Sequence, residues 1–174
     1  HALCTLDGLN ALSPDLVTRA LADPHPGIRV NALRLAEPRV TPAVLAAATK
    51  LVTDPDPKVR LQLACTLGEW QDAQAGLALG RIAVADWQDR HITDAVMSSA
   101  VPHCQALVEA AANAGGSALV ALTEPLLTTA FALDQRNAIE RLLRPTLSAG
   151  NGGFTRRQFE AFEQFLDLLA RRGT

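Results

Sequence analysis

The sequence contains no tyrosine, and aromatic residues account for only 4% of its 174 positions. Strands favour β-branched and aromatic side chains, so this composition gives little support to a β-sheet protein. Hydrophobic residues nevertheless make up 48% of the chain, too many for intrinsic disorder, and most of them are Ala and Leu. Because Ala and Leu are strong helix formers, the composition predicts an all-α fold.

The chain also lacks an excess of charge of either sign. It has 16 basic and 18 acidic residues and a net charge of −2. A nucleic-acid-binding domain usually shows a basic face and a high pI, so no nucleic-acid partner is predicted. No apolar run approaches the roughly 20 residues that a membrane-spanning helix needs, so no membrane insertion is predicted either.

Cysteine is scarce, and the motifs of common catalytic sites are missing. Cys4, Cys65 and Cys104 form no CxxC or CxxCH pattern, which leaves zinc, thioredoxin-like and covalent haem sites without support. The sequence has no HExxH, P-loop or GxSxG motif. His103 and Cys104 are adjacent, but neighbours on a helix point in different directions. We predict no catalytic, cofactor-binding or metal-binding residue in this domain.

What the sequence does contain is a repeat. Residues 23–29, Asp-Pro-His-Pro-Gly-Ile-Arg, match residues 54–60, Asp-Pro-Asp-Pro-Lys-Val-Arg, at an offset of 31 positions. Apolar helical runs flank both copies. The two prolines force a corner, and the second proline fits the first turn of the next helix, where its missing N–H costs nothing.

A repeat of this length holds two short helices and one corner, and it cannot bury its apolar faces alone. The pattern therefore predicts an α-α superhelix, a HEAT/armadillo-type solenoid of stacked helix pairs with about 10–11 helices. In such solenoids the corner Asp and Arg residues bond between neighbouring repeats. We interpret Asp23, Arg29, Asp54 and Arg60 as such a structural ladder.

Two further observations extend the repeat. Ser13-Pro14 and Thr41-Pro42 each place a capping hydroxyl before a proline at the first helical position. A worn third corner follows at residues 86–90, Asp-Trp-Gln-Asp-Arg, which has lost its prolines. There Arg90 or a later residue takes the ladder position, and Trp87 is predicted to fill the corner.

We predict one domain over residues 1–174, with regular repeats at 1–101 and divergent helices at 102–174. The divergent helices are expected at about 103–114, 117–131, 135–148 and 155–172, and the glycine-rich stretch 149–153 is the clearest break. The final helix places Phe159 and Phe162 on an apolar stripe. That stripe either caps the stack or docks a neighbouring domain.

The second helices of stacked pairs tend to line the concave face, where such proteins bind other chains. The polar residues expected on or near that face form a candidate interaction surface, with an ordinary solvated face as the alternative. They are Asn31, Arg34, Gln62, Thr66, Glu69, Thr93 and Asp94.

The first hundred residues resemble segments of large bacterial proteins. Residues 1–9, HALCTLDGL, resemble a junction in that family, and residues 54–70 and 95–100 are similar to its HEAT-like segments. There a propeller resembling membrane-bound or sorbosone-type sugar dehydrogenases precedes the repeats, and a cytochrome c-like domain follows them. The resemblance implies an exported, periplasmic parent with haem c outside this chain. None of the family's cofactor-binding or haem-binding residues falls within it.

The chain begins at His1 in mid-pattern, and its one methionine is Met97, so we expect a segment of a longer protein. Our first hypothesis is a non-catalytic scaffold or spacer whose partners are the neighbouring domains of a haem-containing dehydrogenase-like parent. The second is an independent protein-binding module unrelated to redox chemistry. The third is a helical-repeat enzyme resembling HEAT-like DNA glycosylases, which the near-neutral charge disfavours.

Overall fold

The computed structural model describes residues 1–147 and, beyond them, Arg156, Phe159, Phe162, Glu163, Phe165, Leu166 and Ala170. Every regular element in this part is helical, which confirms the predicted all-α class. The α-helices are α1 (Ala2–Gly8), α2 (Pro14–Leu21), α3 (Pro26–Ala36), α4 (Pro42–Ala48), α5 (Pro57–Gly68), α6 (Ala73–Ala85), α7 (Arg90–Ser98), α8 (Cys104–Ala114), α9 (Gly116–Ala132) and α10 (Arg136–Leu147). Short 3-10 turns occupy Glu37–Arg39, Thr49–Thr53 and Val101–His103.

The helices α2 to α7 begin where a side chain accepts a hydrogen bond from a backbone N–H of the first turn. The hydroxyls of Ser13 and Thr41 accept hydrogen bonds from the backbone N–H groups of Leu16 (3.3 Å) and Val44 (3.2 Å), as predicted. Each cap is followed by a proline at the first helical position, where the absent N–H has no partner to lose.

The repeated corner has the same internal structure in both copies. The carboxylate of Asp23 accepts a hydrogen bond from the N–H of His25 (2.8 Å), and that of Asp54 accepts one from the N–H of Asp56 (3.0 Å). His25 and Asp56 then cap α3 and α5. In each corner the Asp closes the turn, so the next helix starts at the second proline.

The helices pack in two series that alternate along the chain. In the odd series, α1, α3, α5 and α7 contact one another in order. In the even series, α2 packs on α4, the turn Thr49–Thr53 that continues α4 packs on α6, and α6 packs on α8. A continuous apolar core lies among these helices, and Trp70 is among its largest fully buried side chains.

Beyond His103, the helices α8, α9 and α10 pack on one another, and α8 and α9 also pack on α6. α9 contacts α6, α8 and α10, and α10 also contacts α8. Their bounds lie within a residue or two of the predicted spans. Gly115 and Gly116 join α8 to α9 with positive φ angles of 63° and 55°, a conformation that glycine adopts without steric cost. No helix in the described residues is long and apolar enough to cross a membrane.

The predicted helix 155–172 and the break 149–153 lie mostly outside the described residues. Phe159, Phe162 and Phe165 are helical where the structure describes them. The ring of Phe165 lies 5.9 Å from that of Phe131 in α9 and 6.2 Å from that of Phe162. The choice between a capping and a docking role for this stripe stays a prediction.

A close approach of α5 to the end of α7 leads to our first prediction. A Cβ atom added at Gly68 would lie 2.5 Å from Cβ and 3.0 Å from Cα of Ser99. Gly68→Ala should therefore lower the free energy of unfolding by about 1–3 kcal/mol through overpacking, measured as a shift in the urea midpoint.

Gly8→Ala is the matched control, because a Cβ added at Gly8 meets nothing within 4 Å. It should leave the midpoint unchanged or slightly raised. Ser99→Gly removes the nearest atoms, so it should recover part of the loss when combined with Gly68→Ala. Equal effects of Gly8→Ala and Gly68→Ala would contradict the overpacking argument.

Candidate functional site

Two of the predicted ladder residues, Arg29 and Asp54, form a buried contact between successive corners, whereas the carboxylate of Asp23 accepts from the N–H of His25 in its own corner. Arg29, in the first turn of α3, donates from Nε and Nη2 to the two carboxylate oxygens of Asp54, at 2.7 and 2.8 Å. Its Nη1 donates to the backbone carbonyls of Asp23 (2.8 Å) and Pro24 (3.0 Å) in its own corner. Arg29 and Asp54 are 9% and 7% exposed, so water screens this pair weakly. The hydrogen bond with Asp54 raises the pKa of Arg29 above its ordinary value, against the opposing effect of burial.

The same contact recurs one repeat later. Arg60 in α5 donates from Nε and Nη2 to the two carboxylate oxygens of Asp86, at 2.9 and 2.7 Å. Its Nη1 donates to the backbone carbonyl of Asp54 (2.6 Å). The hydrogen bond with Asp86 likewise raises the pKa of Arg60. Asp86 was not among the predicted ladder residues, although it follows Arg60 by 26 positions as Asp54 follows Arg29 by 25.

At the third corner a threonine takes the place of the ladder arginine. Asp89 caps α7 as Asp56 caps α5, which makes Thr93 the equivalent of Arg60. The Thr93 hydroxyl is buried and has no hydrogen-bond partner in the described part of the chain. Arg90 instead lies near Asp94, with Nε 3.7 Å from the carboxylate, on the exposed face of α7. The ladder position therefore belongs to Thr93, and no arginine of the described residues extends the series of ion pairs.

A second set of polar contacts joins α3 to α5, and we call Arg34, Glu37, Gln62 and Thr66 the polar cluster. Nε of Arg34 donates to Oε1 of Gln62 (2.8 Å). Nε2 of Gln62 donates to the hydroxyl of Thr66 (3.3 Å), which donates to Oε1 of Glu37 (3.0 Å). Next to the cluster, Nε1 of Trp70 donates to the backbone carbonyl of Glu37 (3.1 Å).

The polar cluster changes the interpretation of the predicted interaction surface. Gln62 is 7% exposed and Thr66 is fully buried, so these two side chains bond within the protein and do not face solvent. The reason is that α3 and α5 pack closely along the odd series, which brings their polar positions into the contact.

The other predicted surface residues are not brought together. Asn31 is exposed, and its side chain donates to the backbone carbonyl of Gly27 (2.7 Å). Glu69, just after α5, and Asp94, in α7, are both exposed. Phe159 and Phe162 are 61% and 37% exposed beyond α10. Of the predicted residues, Arg34, Gln62 and Thr66 form the one connected set seen in the described part of the chain.

The thiol groups of Cys65 and Cys104 lie in environments that suppress thiolate formation. Burial and the nearby Glu37 carboxylate raise the pKa of Cys65, and burial raises the pKa of Cys104. Nε2 of the buried His103 hydrogen bonds to the backbone carbonyl of Leu67 (3.0 Å). In the described residues, no group of three or more His, Cys, Asp or Glu side chains could hold a metal ion.

A large open depression lies on the even series, which the sequence did not single out. It is a groove of about 1180 Å³ along α4, α6 and α8. Leu77 of α6 and Val40 both line it, and they are 54% and 48% exposed. The groove is lined by both apolar and charged side chains, which suits contact with another polypeptide.

Comparison of the chain with protein-family models, with curated proteins and with solved structures found no match.

Proposed function

We propose that this chain is a HEAT-type helical-repeat scaffold that holds other domains at a fixed separation. One observation carries the proposal, namely that the same two-pronged arginine–aspartate contact joins α3 to the next corner and α5 to the one after. A bidentate pair restricts rotation as well as distance, because both N–H groups must stay aligned with both oxygens. Repetition of that contact makes successive helix pairs move as one body.

The two packing series support the same interpretation. Each helix pair buries its apolar faces mainly against the pairs before and after it, which is the mechanical principle of a solenoid. An additional ion pair, from Arg39 to Asp7, ties the turn after α3 back to α1. A scaffold needs such neighbour-to-neighbour contacts more than it needs a deep cavity.

The polar cluster supports a role without catalysis. Gln62 and Thr66 each use their side-chain hydrogen bonds on other members of the polar cluster. A general base or nucleophile has to present an open functional group to its substrate. The polar cluster therefore serves to connect α3 and α5.

The nature of the neighbouring domains rests on the sequence resemblance alone. We propose that the scaffold separates a dehydrogenase-like domain from a cytochrome c-like domain in an exported bacterial protein, and that haem c is bound outside this chain. The function of the spacer would then be to set the distance across which electrons pass to the haem.

The test uses the longer protein, with the 174-residue chain as the control. We expect a c-type haem band in the reduced-minus-oxidised spectrum of the longer protein and none in the chain alone. Removing one repeat, residues 24–54, should keep the band but reduce haem reduction by substrate. Glu124→Ala, an exposed change on α9 outside the ladder and the predicted interaction surface, should leave both unchanged.

Each outcome has a distinct meaning. A longer protein without haem would remove the redox assignment and leave the scaffold. A shortened protein that reduces haem at the normal rate would contradict the spacer role, because separation would then be irrelevant. An independent protein-binding module is the second candidate, and the open groove of the even series favours it.

A further inference from the structure

We infer that the exposed face of α6 forms a two-fold symmetric interface with a second copy of this chain. The face is a ridge made of Gln74, Leu77 and Arg81, which are exposed and recur at helical spacing. Leu77 stands at its centre and is 54% exposed. The inference concerns the chain by itself and does not depend on the scaffold proposal.

The shape of this surface complements itself. The groove that Leu77 lines is also lined by small side chains, namely Ala46 of α4, Ala78 of α6, and Ala106 and Ala110 of α8. Helices pack by fitting the ridge of one into the groove of the other. A symmetric interface requires both features on the same patch, because each copy must supply the ridge and receive it.

The charges on α6 of one copy match those on α6 of a second copy only when the two helices run antiparallel. Asp72 caps the start of the helix and Arg81 lies near its end, with Leu77 between them. From the rise of an α-helix, Leu77 is about 7.5 Å from Asp72 and about 6 Å from Arg81 along the axis. A second α6 running antiparallel across Leu77 would therefore place Arg81 of each copy opposite Asp72 of the other.

This arrangement favours a second copy over an unrelated partner. Within the described residues, Arg81 forms no ion pair, and Asp72 uses one carboxylate oxygen to cap Gln74. Lys50 and Glu109 add one further charge of each sign to the groove. A uniformly acidic or basic partner would meet a like charge at one end, whereas an antiparallel copy meets the opposite charge at both.

The oligomeric state of the chain tests the inference, measured by sedimentation velocity over a wide concentration range. The wild-type chain should dimerise reversibly. Leu77→Glu should raise the dissociation constant roughly tenfold or more, since it buries a charge at the centre of the interface. Val120→Glu on α9, at a residue that is 48% exposed and outside the groove, is the matched control and should not change it.

A charge exchange tests the antiparallel pairing itself. Arg81→Glu alone should weaken the dimer, and so should Asp72→Arg alone, because each places like charges opposite each other. Mixing the two variants should restore a heterodimer, since the introduced glutamate then faces the introduced arginine and the native Asp72 of one copy faces the native Arg81 of the other. Asp72 also caps α6, so circular dichroism establishes that each variant is folded.

Three results would overturn the inference. They are a wild-type chain that stays monomeric at every concentration, a dimer that survives Leu77→Glu, and charge variants that remain monomeric when mixed. The first would leave the groove to a different polypeptide, and the second would place the dimer interface elsewhere on the chain. The third would reject the antiparallel geometry.

Discussion

Asp54→Ala should lower the free energy of unfolding by about 3–5 kcal/mol, the usual cost of removing one partner from a buried ion pair. The substitution leaves the guanidinium of Arg29, only 9% exposed, without the two carboxylate oxygens that now accept from Nε and Nη2. Water cannot replace them readily, because both partners are buried. The same change removes the acceptor for the N–H of Asp56. Urea denaturation followed by circular dichroism measures the loss.

Asp23→Ala provides a matched control within the same chain. Asp23 occupies the equivalent corner position and accepts from the N–H of His25, as Asp54 accepts from the N–H of Asp56. Among the described residues no arginine pairs with the Asp23 carboxylate, so Asp23→Ala reports the corner hydrogen bond, about 1 kcal/mol. The difference between the two variants isolates the ladder contact. Equal losses would mean that the Arg29–Asp54 pair contributes nothing beyond the turn.

The repeated corner shows how much of this fold a sequence can predict. The offset between Asp23 and Asp54 and the paired prolines locate the corners, and the capping residues locate the helix starts, because all of these are local effects of a few neighbouring residues. The partner of Arg60 was also within reach, since Asp86 stands at nearly the same spacing as Asp54 does from Arg29. Loss of the prolines at the third corner concealed that equivalence.

The polar cluster was beyond sequence reasoning for a different reason. Glu37 lies in a 3-10 turn after α3, and it meets Gln62 and Thr66 only because of the register in which α3 packs on α5. Helical periodicity identifies polar positions, but it does not say whether they face solvent or a neighbouring helix. In the polar cluster, polar positions turned out to be buried, whereas Leu77 is an apolar position that is exposed. The run of apolar residues in α6 gives no sign of this exposure.

Trp70→Ala is expected to lower the free energy of unfolding by a similarly large amount, about 3–5 kcal/mol, as is typical of removing a large buried aromatic side chain. Trp70 is 2% exposed and lies just after α5, so its ring fills the space where the chain turns towards α6. Its Nε1 donates to the backbone carbonyl of Glu37 at 3.1 Å, which holds the turn that also supplies the polar cluster. The substitution therefore leaves a cavity and an unpaired carbonyl in one place.

Two further variants separate these contributions. Trp70→Phe keeps most of the apolar volume but removes the N–H donor. It should therefore lower the free energy of unfolding by less than Trp70→Ala does. We expect about 1–3 kcal/mol, because the carbonyl of Glu37 loses its partner and the ring is smaller. Trp87→Ala is the comparison at a half-buried tryptophan in the third corner, where less apolar area is lost and the cost should be lower. Circular dichroism follows unfolding in all three variants, because it does not depend on the tryptophans being changed. If Trp87→Ala were as damaging as Trp70→Ala, the third corner would contribute as much to stability as the junction of α5 and α6, and the argument from burial would fail.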